Sequence, residues 1–327
     1  MINLPDVYFL PEWGNAYQDL EHGEAKIFEF THETGHIYYQ FIKREIPDKL
    51  GFPGYFDIIT PYGFSGPLVV GTSSRDKACL LELYFDAFRD YCLRENIVSE
   101  YVRFNPWLKN HLDFGKFYDL NYNNFTLYTD LTVSDFFLDE YDSKIRTKIR
   151  KAIKSGVHLE YDFNGSSLNE FCRLYKNTLK KNDIPDYYHF EHDFLVRTFK
   201  RLDNIQFIIN ALYDGHCITS AIFLTFGDYL HYHLVSNDYQ YYSLNANSLI
   251  LYEAAKWGQR RGKKQMHLGG APTKELLAFK KNFTKTGVCD FYIGRKIWNE
   301  DIYGKLVTNR LAKNEINDNR YFPLYRG

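Results

Sequence analysis

The sequence predicts an α/β (α+β) chain in which one motif occurs twice, each copy a mixed central sheet flanked by helices. Three observations predict it. Strand-like runs lie on either side of Gly35-His36 and again on either side of Gly215-His216, the pattern of hairpins closed at a glycine turn. Each hairpin is followed by another strand, a long amphipathic stretch and a short apolar run in the same order, which marks an internal repeat. The 327 residues, 45% hydrophobic and 25% charged, can bury two cores and are globular rather than disordered.

In order, the first copy has strands at 26–30 and 37–42, a third at 55–60, a helix over 77–95 and a strand at 99–104. The second has strands at 206–213, 218–226 and 229–235, a helix over 249–261 and a strand at 265–268. Leu251, Ala254, Ala255 and Gly258 give that helix an apolar stripe, and Gly262 ends it in a left-handed cap. Gly269-Gly270 then offers close approach to the backbone. A last helix is capped by Thr273, with Glu275 in its first turn. Between the copies, Asp142-Ser143 can cap a helix ended by Gly156, with Ile145, Ile149, Ala152 and Ile153 as its apolar face. Asp183-Ile184-Pro185-Asp186 suits a turn. The expected domains are 1–141 and 142–327.

The net charge of −1 hides an asymmetry. Residues 1–141 hold 11 Lys+Arg against 22 Asp+Glu, and residues 142–327 hold 29 against 19. The second half is thus expected to meet an anion. Tyr and Phe number 28 and 27, which suits an aromatic-rich core or surfaces that stack on sugars or bases. The five cysteines are scattered and form no CxxC, which argues against a disulfide framework or zinc knuckle. No signal peptide and no apolar run of membrane-spanning length is visible, so a cytoplasmic location is expected.

Several residues could carry chemistry. Lys280, on a helix just past a glycine pair, could set its ammonium near an oxyanion or a phosphate, although a Lys-Lys pair at a helix end is often only solvated. The helix over 143–155 carries six cations and no acid, and Arg146 and Arg150, one turn apart, could clamp a phosphate. Period-two geometry puts His231 and His233 on one strand face, where either could serve as general base or bind an acceptor. No third ligand is near them, so no metal is expected. Asn245 and Asn247 could offer donors at the start of the helix over 249–261. Tyr62, in the loop Tyr62-Gly63-Phe64-Ser65-Gly66-Pro67, and Arg103, at a strand end, are weaker candidates.

The order helix, glycine, strand, Gly269-Gly270 and then Phe279-Lys280-x-x-Phe283 resembles the Fem (FemABX) peptidyltransferase family, part of the wider GNAT-like acyltransferase fold. The loop ending in Gly66-Pro67 and the basic segment 143–156 extend the resemblance over roughly residues 55–298. It implies two tandem GNAT-like domains, Lys280 at the acyl-transfer centre with Phe279 beside it, and no tightly bound cofactor. It also implies an aminoacyl-tRNA donor and a peptidoglycan precursor as acceptor, while wider relatives acylate surface-polysaccharide amino-sugars from acetyl-CoA. Three departures stand out: Ser65 where the family often has Arg, no coiled-coil arm, and no glycine-rich phosphate loop in 237–247. The implied activity is acyl or aminoacyl transfer to an amine of a cell-envelope precursor. Expected partners are an anionic or lipid-linked precursor, with tRNA and an anionic membrane surface left open. A non-catalytic module binding an anionic glycan or RNA stays as the alternative.

Overall fold

The computed structural model describes residues 2–73, 75–182, 185–313, 318 and 321–327. The chain begins with helix α1 (Pro11–Tyr17), strands β1 (Glu24–His32), β2 (Gly35–Glu45), β3 (Phe56–Ile59) and β4 (Leu68–Thr72), helix α2 (Lys77–Arg94), strand β5 (Ile97–Arg103), the short helix α3 (His111–Phe114) and strand β6 (Asp119–Asp130). There follow α4 (Phe136–Asp139), α5 (Ser143–Lys154), β7 (His158–Asp162), α6 (Leu168–Asn182), α7 (His192–Arg201), β8 (Gln206–Tyr213), β9 (His216–Phe226), β10 (Tyr229–Asn237), α8 (Ala246–Arg260), β11 (Gln265–Gly269), α9 (Lys274–Lys281), β12 (Val288–Ile297) and α10 (Glu300–Ala312). Of the expected turn at 183–186, Asp183 and Ile184 lie outside the described residues, and Asp186–Tyr188 forms a single 3-10 turn. No described helix is long and apolar enough to cross a membrane.

Contacts divide the chain into two compact units. The first holds residues 1–4, 8–124 and 290–327, and the second holds 5–7 and 125–289. This differs from the expected boundary at 141/142, above all because the C-terminal segment belongs to the first unit. The reason is a set of long-range partners. β12 pairs antiparallel with β5 from Ile293↔Arg103 to Ile297↔Ser99. Trp298 Nε1 donates to Glu100 Oε2 at 3.0 Å, and Tyr325 Oη donates to Asp57 Oδ2 at 3.1 Å. Asp57 is buried and also accepts from Arg44 Nε at 2.7 Å.

In the first unit β1 and β2 form the hairpin, β3 joins β2 antiparallel, and β5 lies parallel to β3. A parallel pair needs a crossover, and α2 supplies it. Leu80, Leu81, Tyr84, Phe88 and Cys92 recur at helical spacing on α2 and are buried. They pack on Tyr39, Phe41 and Ile97 of the sheet, each large side chain contributing about 2 kcal/mol by leaving water. β4, absent from the sequence expectation, pairs with β2.

The second unit repeats the plan. β8 and β9 are the hairpin, β10 follows antiparallel, and β11 lies parallel to β10 after the α8 crossover. β7 extends the sheet at β8, and β6 pairs with β11. Ile145, Ile149 and Ala152 of α5 are buried with Leu251, Ala254 and Ala255 of α8 in one core. Ile153, expected on that apolar face, is 53% exposed. Gly156 (φ +85°) and Gly262 (φ +72°) follow α5 and α8 in the left-handed conformation the sequence suggested. All five cysteines are free thiols.

Candidate active site

The site grows from the parallel pair at the centre of the second unit. β10 and β11 pair only over Tyr229↔Gln265, Leu230↔Met266 and His231↔His267. Beyond that level each strand is irregular. The β10–β9 register slips between Tyr232 and Leu234, leaving His233 as the extra residue. The β11–β6 register slips between His267 and Gly269. Bulges bend strands and raise their twist, so β10 and β11 stop pairing where both are bent. Their backbone amides and carbonyls past this point do not satisfy one another, and an extended acyl chain can take their place.

Lys280 lies beside the end of β11. Thr273 Oγ1 accepts from Leu276 N at 3.2 Å and starts α9 as expected. One helical turn and more later, Lys280 is only 7% exposed. Its Nζ donates to the carbonyl of Gly270 at 2.6 Å. Burial pushes its pKa down from 10.5 to about 8. An ammonium has three N–H groups, and Gly270 takes one. Among the described residues no carboxylate pairs with Lys280. Phe279 is half-buried against the core and meets Phe283 edge-on at 5.1 Å. Gly269 is needed for its backbone (φ +71°). Room is not the reason for the glycine pair: a Cβ at Gly270 would sit 3.9 Å from Phe125 O, an ordinary contact.

The histidines of β10 and β11 act on one another. His231 is buried, its Nε2 lies 3.0 Å from Asp6 Oδ1, and its ring stacks on His267 at 5.2 Å. Burial, then His231, push the pKa of His267 well below 6.5. The same two causes hold His233 at about 3. At neutral pH its imidazole is uncharged but a weak proton acceptor, which suits positioning better than general base work. Tyr232 Oη donates to Asn247 Oδ1 at 2.9 Å, tying β10 to the first turn of α8. Asn245 takes the left-handed conformation at the α8 N-cap (φ +58°), and its Nδ2 donates to Ser243 O at 2.8 Å. Asn245 thus shapes the turn, and Asn247 braces Tyr232.

Arg146 and Arg150 both turn toward α4. Arg146 Nη1 donates to Leu138 O at 3.1 Å, and the Arg150 guanidinium lies 5.3 Å over the Phe137 ring. The start of α5 lies against the end of α9, since Asp142 N donates to Asn282 O at 2.9 Å. The two candidates of the first unit are built into its structure. Tyr62 stacks on Tyr17 at 5.1 Å. Arg103 Nη1 donates to Glu21 Oε1 at 3.2 Å and to Thr60 O at 2.9 Å, so the acid it meets is its own chain's. Sequence reasoning did not find Asp6, 225 positions from His231, and nothing local announces that pair. His267 was legible as the polar residue inside the apolar run 265–268.

The segment over residues 140–281 matches the acetyltransferase (GNAT) domain family. It runs from just ahead of α5 to the last residue of α9 and so takes in the splayed strands and Lys280. Residues 140–281 are thus similar to a GNAT domain. The chain also superposes on solved structures over most of its length. A FemX crystal structure aligns at TM-score 0.71 and 14% identity, over 91% of this chain and 94% of that one. The C-terminal domain of a putative lysylphosphatidylglycerol synthetase from Agrobacterium fabrum aligns at 0.54 and 13%, over 92% and 96%. L-PGS from Bacillus licheniformis aligns at 0.53 and 12%, over 96% and 99%. At these identities the likeness is one of fold: two GNAT-like units in tandem, as the Fem resemblance implied. No curated protein sequence matches.

Proposed function

We propose that the GNAT domain transfers an acyl or aminoacyl group to an amine of a cell-envelope precursor, either a peptidoglycan peptide or a surface-polysaccharide amino-sugar. The observation that carries the reading is the buried, lowered-pKa amine of Lys280 held at the end of β11, beside strands that cease to pair. The donor carbonyl lies in that opening. A neutral acceptor amine attacks it, and the tetrahedral oxyanion is stabilised by the Lys280 ammonium and nearby backbone N–H groups. Attack forms the C–N bond, and collapse of the oxyanion re-forms C=O and breaks the donor's C–O or C–S bond. The amine's proton goes to water or a substrate phosphate, and the leaving oxygen or sulfur is protonated in turn. No covalent enzyme intermediate is needed, because holding both reactants lowers the entropic barrier by several kcal/mol, up to about 10.

Aminoacyl-tRNA is the donor the α8 start favours. Its entry is the turn Tyr239–Leu244 followed by Asn245, with no glycine-rich loop to cradle the phosphates of acetyl-CoA. The family description, an acetyltransferase domain, favours acetyl-CoA as the second reading. Parallel incubations with labelled aminoacyl-tRNA and labelled acetyl-CoA, each with a pool of nucleotide-linked muropeptides and amino-sugars, separate the two. Amide-bound label from one donor, lowered about 100-fold or more by Lys280→Ala, is the expected result. Transfer from neither donor overturns the proposal and leaves the non-catalytic module; transfer unchanged in Lys280→Ala overturns the role given to Lys280.

A further inference from the structure

Helices α4 and α5 present a surface that the acyl-transfer reading leaves unused. Their opposite side is spoken for: Ile145, Ile149 and Ala152 are buried with α8. Helical spacing of 3.6 places Arg146, Arg150 and Ile153 on one outward flank of α5. Arg146 reaches the Leu138 carbonyl at 3.1 Å and Arg150 covers the Phe137 ring, so Leu138 heads the same flank. Lys285 Nζ joins it there, donating to Leu138 O at 3.3 Å. Leu138 is 51% exposed and Ile153 53% exposed. The flank therefore carries a large aliphatic side chain at each end with two guanidiniums between them, along a helix about 18 Å long.

The remaining exposed arc of α5 carries Lys144, Lys148, Lys151 and Lys154. Among the described residues none of the four pairs with a carboxylate. Three exposed acids border the face, Asp135, Asp139 and Asp142, and Asp135 is engaged as the α4 cap, accepting from Leu138 N at 3.1 Å. Seven cations against three acids leave a strongly positive face.

We infer that this face docks on the surface of an anionic phospholipid bilayer. Cations alone would suit any polyanion, but the two aliphatic ends discriminate. An RNA strand uses exposed ring faces for its bases, and the Phe137 ring already has Arg150 over it and Tyr252 4.8 Å away. Leu138 and Ile153 offer nothing to a base or a phosphate. At a bilayer the lysines and arginines meet the headgroup charge while Leu138 and Ile153 enter the headgroup–acyl boundary. The inference rests on this surface alone and does not depend on which acyl group is transferred.

The test is co-sedimentation of the full chain with vesicles of phosphatidylcholine containing roughly 30% phosphatidylglycerol, against pure phosphatidylcholine, at low and high salt. The expected result is binding to the anionic vesicles only, weakened by salt. Leu138→Asp and Ile153→Asp, both on exposed positions, should each lower partitioning about tenfold with melting temperatures unchanged. The pair Lys148→Glu with Lys151→Glu should lower it further. No binding at low salt overturns the inference, and so does equal binding to both vesicle types. It is also overturned if the two aspartate variants bind like wild type and a poly(U) competitor removes the protein, which would assign the face to RNA.

Discussion

Replacing Lys280 by methionine should make the protein more stable and inactive. The folded pKa of about 8 lies roughly 2.5 units below the ordinary 10.5. At about 1.4 kcal/mol per unit, keeping the amine protonated costs the fold about 3 kcal/mol at neutral pH. Methionine fills similar space without charge. It gives up the 2.6 Å hydrogen bond to Gly270, a loss of about 1 kcal/mol. The net expectation is a gain of about 2 kcal/mol at pH 7. The sign of the pH dependence follows from linkage. With the folded pKa below the unfolded one, the unfolded chain binds more protons between pH 8 and 10.5. Wild-type stability therefore rises with pH through that window, and the gap to the variant closes. Urea unfolding of both proteins at pH 7, 9 and 10.5, followed by circular dichroism, measures it. A variant less stable than wild type at pH 7, or a gap that does not change between pH 8 and 10.5, would refute the reasoning.

If Lys280 acts as the ammonium, kcat/KM should carry a descending limb near pH 8, falling about tenfold per pH unit; Lys280→Arg should remove that limb, and a limb that persists assigns it to another group. Burial raises the Glu100 carboxyl to about 7 despite donors from Tyr39, Tyr118 and Trp298. The first unit should therefore lose stability as pH rises from 4.5 to 7, in urea titrations read by Trp298 fluorescence, and a flat midpoint would count against it. Arg103→Leu removes the guanidinium 3.2 Å from Glu21, itself 4% exposed, and should cost about 3 kcal/mol in the same titration. Tyr232→Phe removes the bond to Asn247 and should cost about 1 kcal/mol, with faster amide exchange in the first turn of α8 if that bond braces it.

The repeat was legible because its signals are local. Gly215-His216 closes a hairpin whose register runs Tyr213↔His216, and the left-handed glycines at 156 and 262 follow the helices they were expected to end. What the sequence hid is non-local. β4 lies at Leu68–Thr72, just after Gly66-Pro67, in a stretch too short and too glycine-flanked to show a period. The return of residues 290–327 to the first unit depends on Asp57 meeting Tyr325, 268 positions away, and no spacing rule predicts such a partner.

The site divides along the same line. Lys280 was found by its neighbours in sequence, but its chemistry comes from burial, which a Lys-Lys pair does not reveal: Lys281, one position on, is exposed. One hundred degrees of helix rotation separates a solvated cation from an amine with a pKa of about 8. His233 shows the converse. It is the extra residue of a bulge in β10, and burial with His231 nearby lowers its pKa to about 3, neither of which alternation reveals. That same irregularity lies at the level where β10 and β11 part. A bulge is where the period-two rule should be expected to fail at a functional site.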